Sequence, residues 1–159
     1  MSAEVKQFPL IDTNIFVADL LEAYEKDEVT HEYLSFFRKI PFQERIVTDF
    51  ILGELETVVL QTIPPRYQLD SEKKQSLKTS VLKYFEEIRN IYRITTPPES
   101  VVKEAFAMYH NNFSIRYISF TDSLLLALAK AHHFTLLTKD QKIHAIAKQM
   151  KIAYYSPAK

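Results

Sequence analysis

The sequence predicts an α/β protein built on a mainly parallel sheet of four to five strands. Three observations point there. Short β-type apolar runs alternate with longer stretches of helical periodicity, the pattern of strands joined by crossover helices. Acidic residues recur at the ends of the predicted strands, where an open parallel sheet gathers its ligand edge. Apolar residues make up 47% and charged residues 25% of 159, with 11 Phe and 9 Tyr, enough for one self-sufficient aromatic core. No repeat, linker or low-complexity segment divides the chain, so a single domain is expected over residues 1–159.

Phe8 to Ile11 is the first predicted strand, stopped by the helix-capping cluster Asp12-Thr13-Asn14. Ile15, Ala18, Leu20 and Leu21 then mark the apolar face of a helix. A second helix is expected from about Thr30 to Pro41, carrying His31, Tyr33, Phe36 and Phe37. Arg45 to Thr48 reads as the second strand, and Phe50 to Thr62 as a helix ended by Pro64-Pro65. Leu77, Val81, Leu82, Phe85 and Ile88 recur at helical spacing, so about Ser71 to Asn90 is amphipathic. Tyr92 to Thr95 is the third strand, and Pro97-Pro98 opens a helix closed by Asn111-Asn112. From Asp122 a run of Leu and Ala is apolar nearly all round, as a helix buried against the sheet requires. Phe134 to Thr138 is the fourth strand, Asp140 to Met150 a helix, and Ile152 to Tyr155 a short last strand.

Composition excludes several chemistries. There is no Cys, hence no disulfide framework, thiolate nucleophile or thiolate zinc site. Gly53 is the sole glycine, which leaves no material for a P-loop, a dinucleotide fingerprint or a nucleophile elbow. Lys+Arg and Asp+Glu number 20 each, so any nucleic-acid surface must be a local patch. With no apolar h-region at the N-terminus and no run of membrane-spanning length, a cytoplasmic chain without membrane contact is expected.

Asp12 directly follows the first strand, Asp140 follows the fourth, and Asp122 opens the buried helix. Glu54 comes six residues after Thr48, early in the following helix, and can point to the same sheet edge. Glu56 is turned about 200° from it and faces elsewhere. Taken singly, each Asp fits a helix N-cap and Glu54 fits a solvated helix face. Converging together, these acids repel unless a cation neutralises them. Hard oxygen donors without Cys or His suit Mg²⁺ or Mn²⁺, and the implied chemistry is phosphoryl transfer or phosphodiester hydrolysis.

Four strings then bear a resemblance to PIN-domain nucleases. Leu10-Ile11-Asp12-Thr13-Asn14-Ile15 looks like their opening strand, and Thr48 to Leu55 is similar to their second acidic segment. Thr121-Asp122-Ser123 with its Leu/Ala run resembles the third, and Leu136-Leu137-Thr138-Lys139-Asp140 the closing T-x-D. The resemblance implies a three-layer α/β/α fold that cleaves RNA with Mg²⁺ or Mn²⁺, commonly as a homodimer. It makes Asp12, Glu54, Asp122 and Asp140 the metal-binding catalytic quartet, with Asn14 and Thr138 as polar support for ligands. Small members of VapC type are toxins silenced by an antitoxin, whereas others process RNA outside such pairs.

The departures from the family pattern are specific. Lys142 stands where many relatives carry another Asp, and either weakens a second ion site or contacts phosphate. His132-His133 occupies a place where Gly is common, so that turn is expected to close differently. The stretch from Pro64 to Pro98 is longer than in minimal toxins and is a candidate surface for substrate or partner. Lys139, Arg116 and Tyr117 stand near the acids and could hold phosphate or stack a base. Lys142 and the long middle segment keep a non-catalytic RNA- or protein-binding module open as the alternative. A phospho-receiver or phosphatase is disfavoured, because Asp12 lacks an acidic neighbour and no D-x-D string follows the first strand.

Overall fold

The computed structural model describes residues 8–22 and 26–157, with side chains placed for all of these except 113–116. Four three-residue strands form a fully parallel sheet: β1 (Pro9–Ile11), β2 (Ile46–Thr48), β3 (Arg93–Thr95) and β4 (Thr135–Leu137), in the order β3-β2-β1-β4. Leu10 lies opposite Ile46 on one side and Leu136 on the other. β2 is buried throughout, whereas β3 at the edge is largely exposed. The chain adds β2 and β3 on one side of β1 and returns with β4 on the other. The winding therefore reverses between β1 and β4, which is where open α/β sheets form their ligand crevice.

Among the described residues eight α-helices complete a three-layer α/β/α arrangement: α1 (Thr13–Leu20), α2 (Glu28–Lys39), α3 (Asp49–Thr57), α4 (Ile63–Arg66), α5 (Ser71–Ile91), α6 (Glu99–Arg116), α7 (Phe120–His132) and α8 (Gln141–Gln149). Their starts follow ordinary capping chemistry. Asp12, Asp27, Thr48, Asp70, Ser119 and Asp140 each accept a backbone N–H of the first turn. α7 is buried from Leu125 through Ala129, as its apolar run predicts, and packs closely on α6. No helix among the described residues is long and apolar enough to cross a membrane.

Four expectations about the chain path are corrected. Pro64-Pro65 does not end the third helix. A π-helical turn over Val58–Thr62, with Ile63 N–H bonding to Val58 C=O, leads into α4, whose first turn holds both prolines where no N–H is needed. Asn111-Asn112 does not close α6, because Asn112 Nδ2 donates to Met108 C=O at 2.8 Å and stays within the helix. The helix ends only before Tyr117, at φ 49°. His133 does not change the turn after α7: at φ 55° it fills the left-handed cap that glycine would otherwise supply, at a conformational cost of about 1 kcal/mol. The expected last strand is reduced to one parallel bridge between Leu136 and Tyr154, with two ladder bonds of 2.9 Å on Leu136.

The core is aromatic at its centre. Phe16 packs its ring against Phe37 and Tyr84 at 5.9 Å each, and against Tyr92 at 6.1 Å. Tyr33 and Phe37 are buried, and Phe36 stacks on Tyr155 at 3.8 Å, so these three aromatics serve packing within the chain. Arg38 joins Asp19 and Glu22, and Tyr84 donates to Asp19 at 2.8 Å, which ties α1, α2 and α5 together.

Arg45 is only 4% exposed. It lies over the rings of Phe37 (4.2 Å) and Phe42 (4.3 Å) and donates to Ile40 C=O and the Tyr92 hydroxyl. Removing it strips cation–π contacts to Phe37, Phe42 and Tyr92 and two charge-assisted hydrogen bonds. Arg45→Ala is therefore expected to lower stability by about 3 kcal/mol, read as a shifted urea midpoint at unchanged slope. An unchanged midpoint would show that the aromatic box stands without its cation.

Candidate active site at the strand reversal

The four carboxylates that the sequence singles out are brought to one place. Asp12, Glu54, Asp122 and Asp140 all line a single cleft of about 490 Å³, together with Asn14 and Lys139. Glu56 is exposed and lines a separate groove, as the helical angle predicts. β1 and β4 deliver Asp12 and Asp140 from adjacent strand ends, and the Asp12 N–H bonds to Leu137 C=O at 3.0 Å. Glu54 projects from α3. Asp122 occupies the third position of α7, where it forms a capping box with Ser119 rather than capping the helix by itself.

Asp12 is the centre of a built hydrogen-bond cage. Its Oδ1 accepts the Thr13 N–H at 2.7 Å, and its Oδ2 accepts Thr138 Oγ1 at 2.6 Å and Asn14 Nδ2 at 2.9 Å. Asn14 in turn donates to Thr138 Oγ1 and accepts the Lys139 N–H, each at 3.0 Å. The Asp140 N–H also reaches Thr138 Oγ1. Thr138 and Asn14 are thus the buttress of Asp12. On the outer side of Thr138, His144 Nε2 lies 2.8 Å from the Thr138 carbonyl.

Burial pushes the Asp12 carboxyl up to about 7, assisted by the negative charges of Asp122 and Glu54 and opposed by the Thr138 and Thr13 hydrogen bonds. Asp122 is also raised, by burial first and then by Asp140, against its bonds to Ser119 and the Lys142 ammonium. Desolvation outweighs a full set of donors at Asp12. A site that raises its own acids in this way favours a bound cation, which would remove the repulsion.

The donor set fits a hard divalent ion. Glu54 holds one oxygen against the Thr13 hydroxyl at 2.5 Å, Asp122 holds Oδ2 on the Ser119 N–H, and Asp140 holds Oδ1 on the Lys142 N–H. Glu54 and Asp140 each keep the second oxygen without a hydrogen bond among the described residues, whereas Asp122 is also held by the Ser119 side chain. No three His, Asp or Glu side chains among those residues are drawn together tightly enough to cage an ion directly.

Among the further residues of the lining, Thr13 fixes Glu54, and its signal was its position between Asp12 and Asn14. Arg66 and Tyr67 belong to the Pro64–Pro98 stretch expected to meet substrate or partner; they line the cleft from the far end of α4, a placement that no residue spacing announced. Of the cationic candidates, Lys139 lines the cleft and donates its Nζ to Thr30 Oγ1 at 2.8 Å. Lys142 is exposed, 6.0 Å from the Tyr117 ring, and the Arg116 side chain lies outside the described residues. His31 is exposed and stands apart from the lining.

A parallel α/β/α sheet with carboxylates converging where its winding reverses defines a class of acidic-site α/β folds. The sequence matches the family model of the PIN domain over residues 10–149, a span holding all four carboxylates, and the chain belongs to that family. No sequence of a curated protein matches it.

Several solved structures share the fold. FitAB bound to an IR36 DNA fragment superposes with a TM-score of 0.67 at 17% identity, covering 92% of this chain and 93% of that one. FitAcB from Neisseria gonorrhoeae gives 0.64 at 18% identity over 94% and 97% of the two chains. VapC20 from Mycobacterium tuberculosis, described as a toxin cleaving the sarcin–ricin loop, gives 0.65 at 14% identity over 94% and 99%.

Proposed function

We propose that this chain is a Mg²⁺- or Mn²⁺-dependent endoribonuclease, the toxin of a toxin–antitoxin pair, acting in the cytoplasm as a single domain over residues 1–159. The observation that carries the reading is the convergence of Asp12, Glu54, Asp122 and Asp140 on one cleft, with Asp12 raised by burial and by its neighbours' charge. Membership of the PIN family and the fold shared with the VapC20 toxin support it. On this reading its partners are RNA, an antitoxin and a second copy of the chain.

In the mechanism, Glu54 and Asp140 would hold the ion through their free oxygens, and Asp12 and Asp122 through remaining lone pairs or intervening waters. When bound, a divalent ion supplies Lewis-acid activation of water and charge stabilisation at the phosphate. Thr138 and Asn14 keep Asp12 in one rotamer, and Thr13 does the same for Glu54, so little reorganisation is needed. Lys139 brings positive charge to the substrate side of the cleft, and Lys142 and Arg116 are candidates for phosphate contact.

Purified chain should cut a panel of structured and single-stranded RNAs in Mg²⁺ or Mn²⁺ and not in EDTA, and its induced expression should arrest growth. Cutting without growth arrest would move the role to RNA processing outside a toxin pair. RNA binding without metal-dependent cutting would favour a binding-only module, a reading suited to the open spacing of the acids.

Thr138→Val tests the buttress. Loss of the hydroxyl removes the bond that holds the Asp12 carboxyl down, so its titration should move further up. Metal-dependent cleavage should fall about 10- to 100-fold, with its pH profile displaced to the alkaline side. An unchanged profile would remove Thr138 from any role at Asp12.

A further inference from the structure

We propose that Arg66 and Tyr67 form a subsite for an unpaired nucleotide beside the scissile phosphate. The inference rests on the reading of the cleft as an RNA-cleaving site and names what that site selects. Its basis is the path of the chain from α3 to α4. In an unbroken α-helix, Arg66 would be rotated by ~120° from Glu54. The π-helical turn at Val58–Thr62 sets the helix back by about one residue, ~100°, so Arg66 returns to within ~20° of the Glu54 face. Val58, Thr62 and Arg66 accordingly line the cleft in line with Glu54. Pro64 and Pro65 lack the N–H groups of a regular α-helix here, so the displacement is written into the chain.

The corner itself is rigid. Gln68 takes the left-handed conformation at φ 50°, while Leu69 N–H bonds to Pro64 C=O at 3.1 Å and Gln68 N–H to Pro65 C=O at 3.2 Å. These are the two bonds of a Schellman cap, with Tyr67 as the capping residue. The Arg66 guanidinium lies 5.9 Å from the Tyr67 ring and has no carboxylate partner among the described residues. Lys139, the other cation of the lining, already donates its Nζ to Thr30. Arg66 is thus a further cation of the lining, with no hydrogen bond to another side chain among the described residues, placed to offset the four acids for a polyanion, and Tyr67 brings its ring to the same mouth. A base can use the face of that ring only when it is outside a duplex stack.

The test uses the full chain carrying Asp12→Asn, so that RNA is bound in Mg²⁺ without being cut. Anisotropy is read on a labelled unstructured RNA oligonucleotide and on the same strand annealed to its complement. Tyr67→Ala should weaken single-strand binding about 5- to 100-fold, Tyr67→Phe should restore it, and duplex binding should not respond. Arg66→Ala should weaken binding and lower the salt slope by about 0.7, the share of one phosphate contact on a single strand. Arg89→Ala, on the exposed face of α5, is the charge control. A role confined to capping α4 would lower the melting temperature and leave the slope unchanged.

Parent-like binding by both Arg66→Ala and Tyr67→Ala, in a chain whose wild type cuts RNA, overturns the subsite and leaves the nuclease standing. A wild type that neither cuts nor binds RNA overturns the nuclease reading, and the subsite falls with it.

Discussion

Asp12→Asn is expected to reduce metal-dependent RNA cleavage by at least ~10²-fold while the folded chain becomes more stable above neutral pH. The two effects have one cause. Asp12 is 6% exposed, takes three hydrogen bonds and lies in the field of Glu54 and Asp122, so its charge is costly to hold and useful to a cation. An amide keeps most of the cage. With its carbonyl at the Oδ2 position it still accepts the Thr138 hydroxyl and Asn14 Nδ2, and only the Thr13 N–H loses its partner. Geometry is retained and charge is lost. Cleavage of the RNA panel beside thermal melts of both proteins decides the matter. Full activity in the variant would remove Asp12 from the chemistry, and a large drop in melting temperature would make it a packing residue.

Stability should fall as pH rises from about 4 to about 7 in EDTA, and a divalent ion should restore it at the upper end. The sign follows from Asp12, whose carboxyl is pushed up from 3.8 to about 7. Between those values the folded chain keeps a proton that the unfolded chain has released, so folding is progressively weakened as pH rises. The loss is complete above the folded value and reaches on the order of 4 kcal/mol at most. Asp122 shifts in the same direction and adds to it. A cation binds the ionised carboxylates and competes with protons. At about 100 times its dissociation constant it stabilises by about 2.7 kcal/mol, or roughly 5–10 °C for a chain of this size. Melts with Mg²⁺ or Mn²⁺ should therefore shift strongly at pH 8 and little at pH 5, with the pH 8 shift reduced in Asp12→Asn. Equal shifts at both pH values would place the bound ion away from Asp12.

Much of the molecule is legible without coordinates. The alternation of apolar runs sets four strands and the helices between them, because periodicity and caps are local properties. Asp12, Asp122 and Asp140 announce themselves by standing at strand exits or a helix start, and Glu54 by its angle on the helix. What failed was also local in origin. Pro64-Pro65 reads as a stop, and the π turn that carries the helix past them is visible only as a backbone path. Asn112 reads as a terminator, yet its amide satisfies a carbonyl within its own helix. His133 reads as a departure, yet tolerates the left-handed angle that glycine would have taken.

Asn14 and Thr138 enter through the resemblance to PIN-domain nucleases, whereas the strand and helix elements, the absence of thiol and glycine-loop chemistry, and the four candidate acids are determined by the sequence itself. These follow from residue type and short-range spacing. Tertiary structure alone decides the rest: the order β3-β2-β1-β4 that seats β4 beside β1, the hydroxyl of Thr13 on Glu54, and the return of Arg66 and Tyr67 to the cleft. The charge state of Asp12 belongs there too. Burial and the field of residues far along the chain set it, and neither exists until the sheet has closed around that side chain.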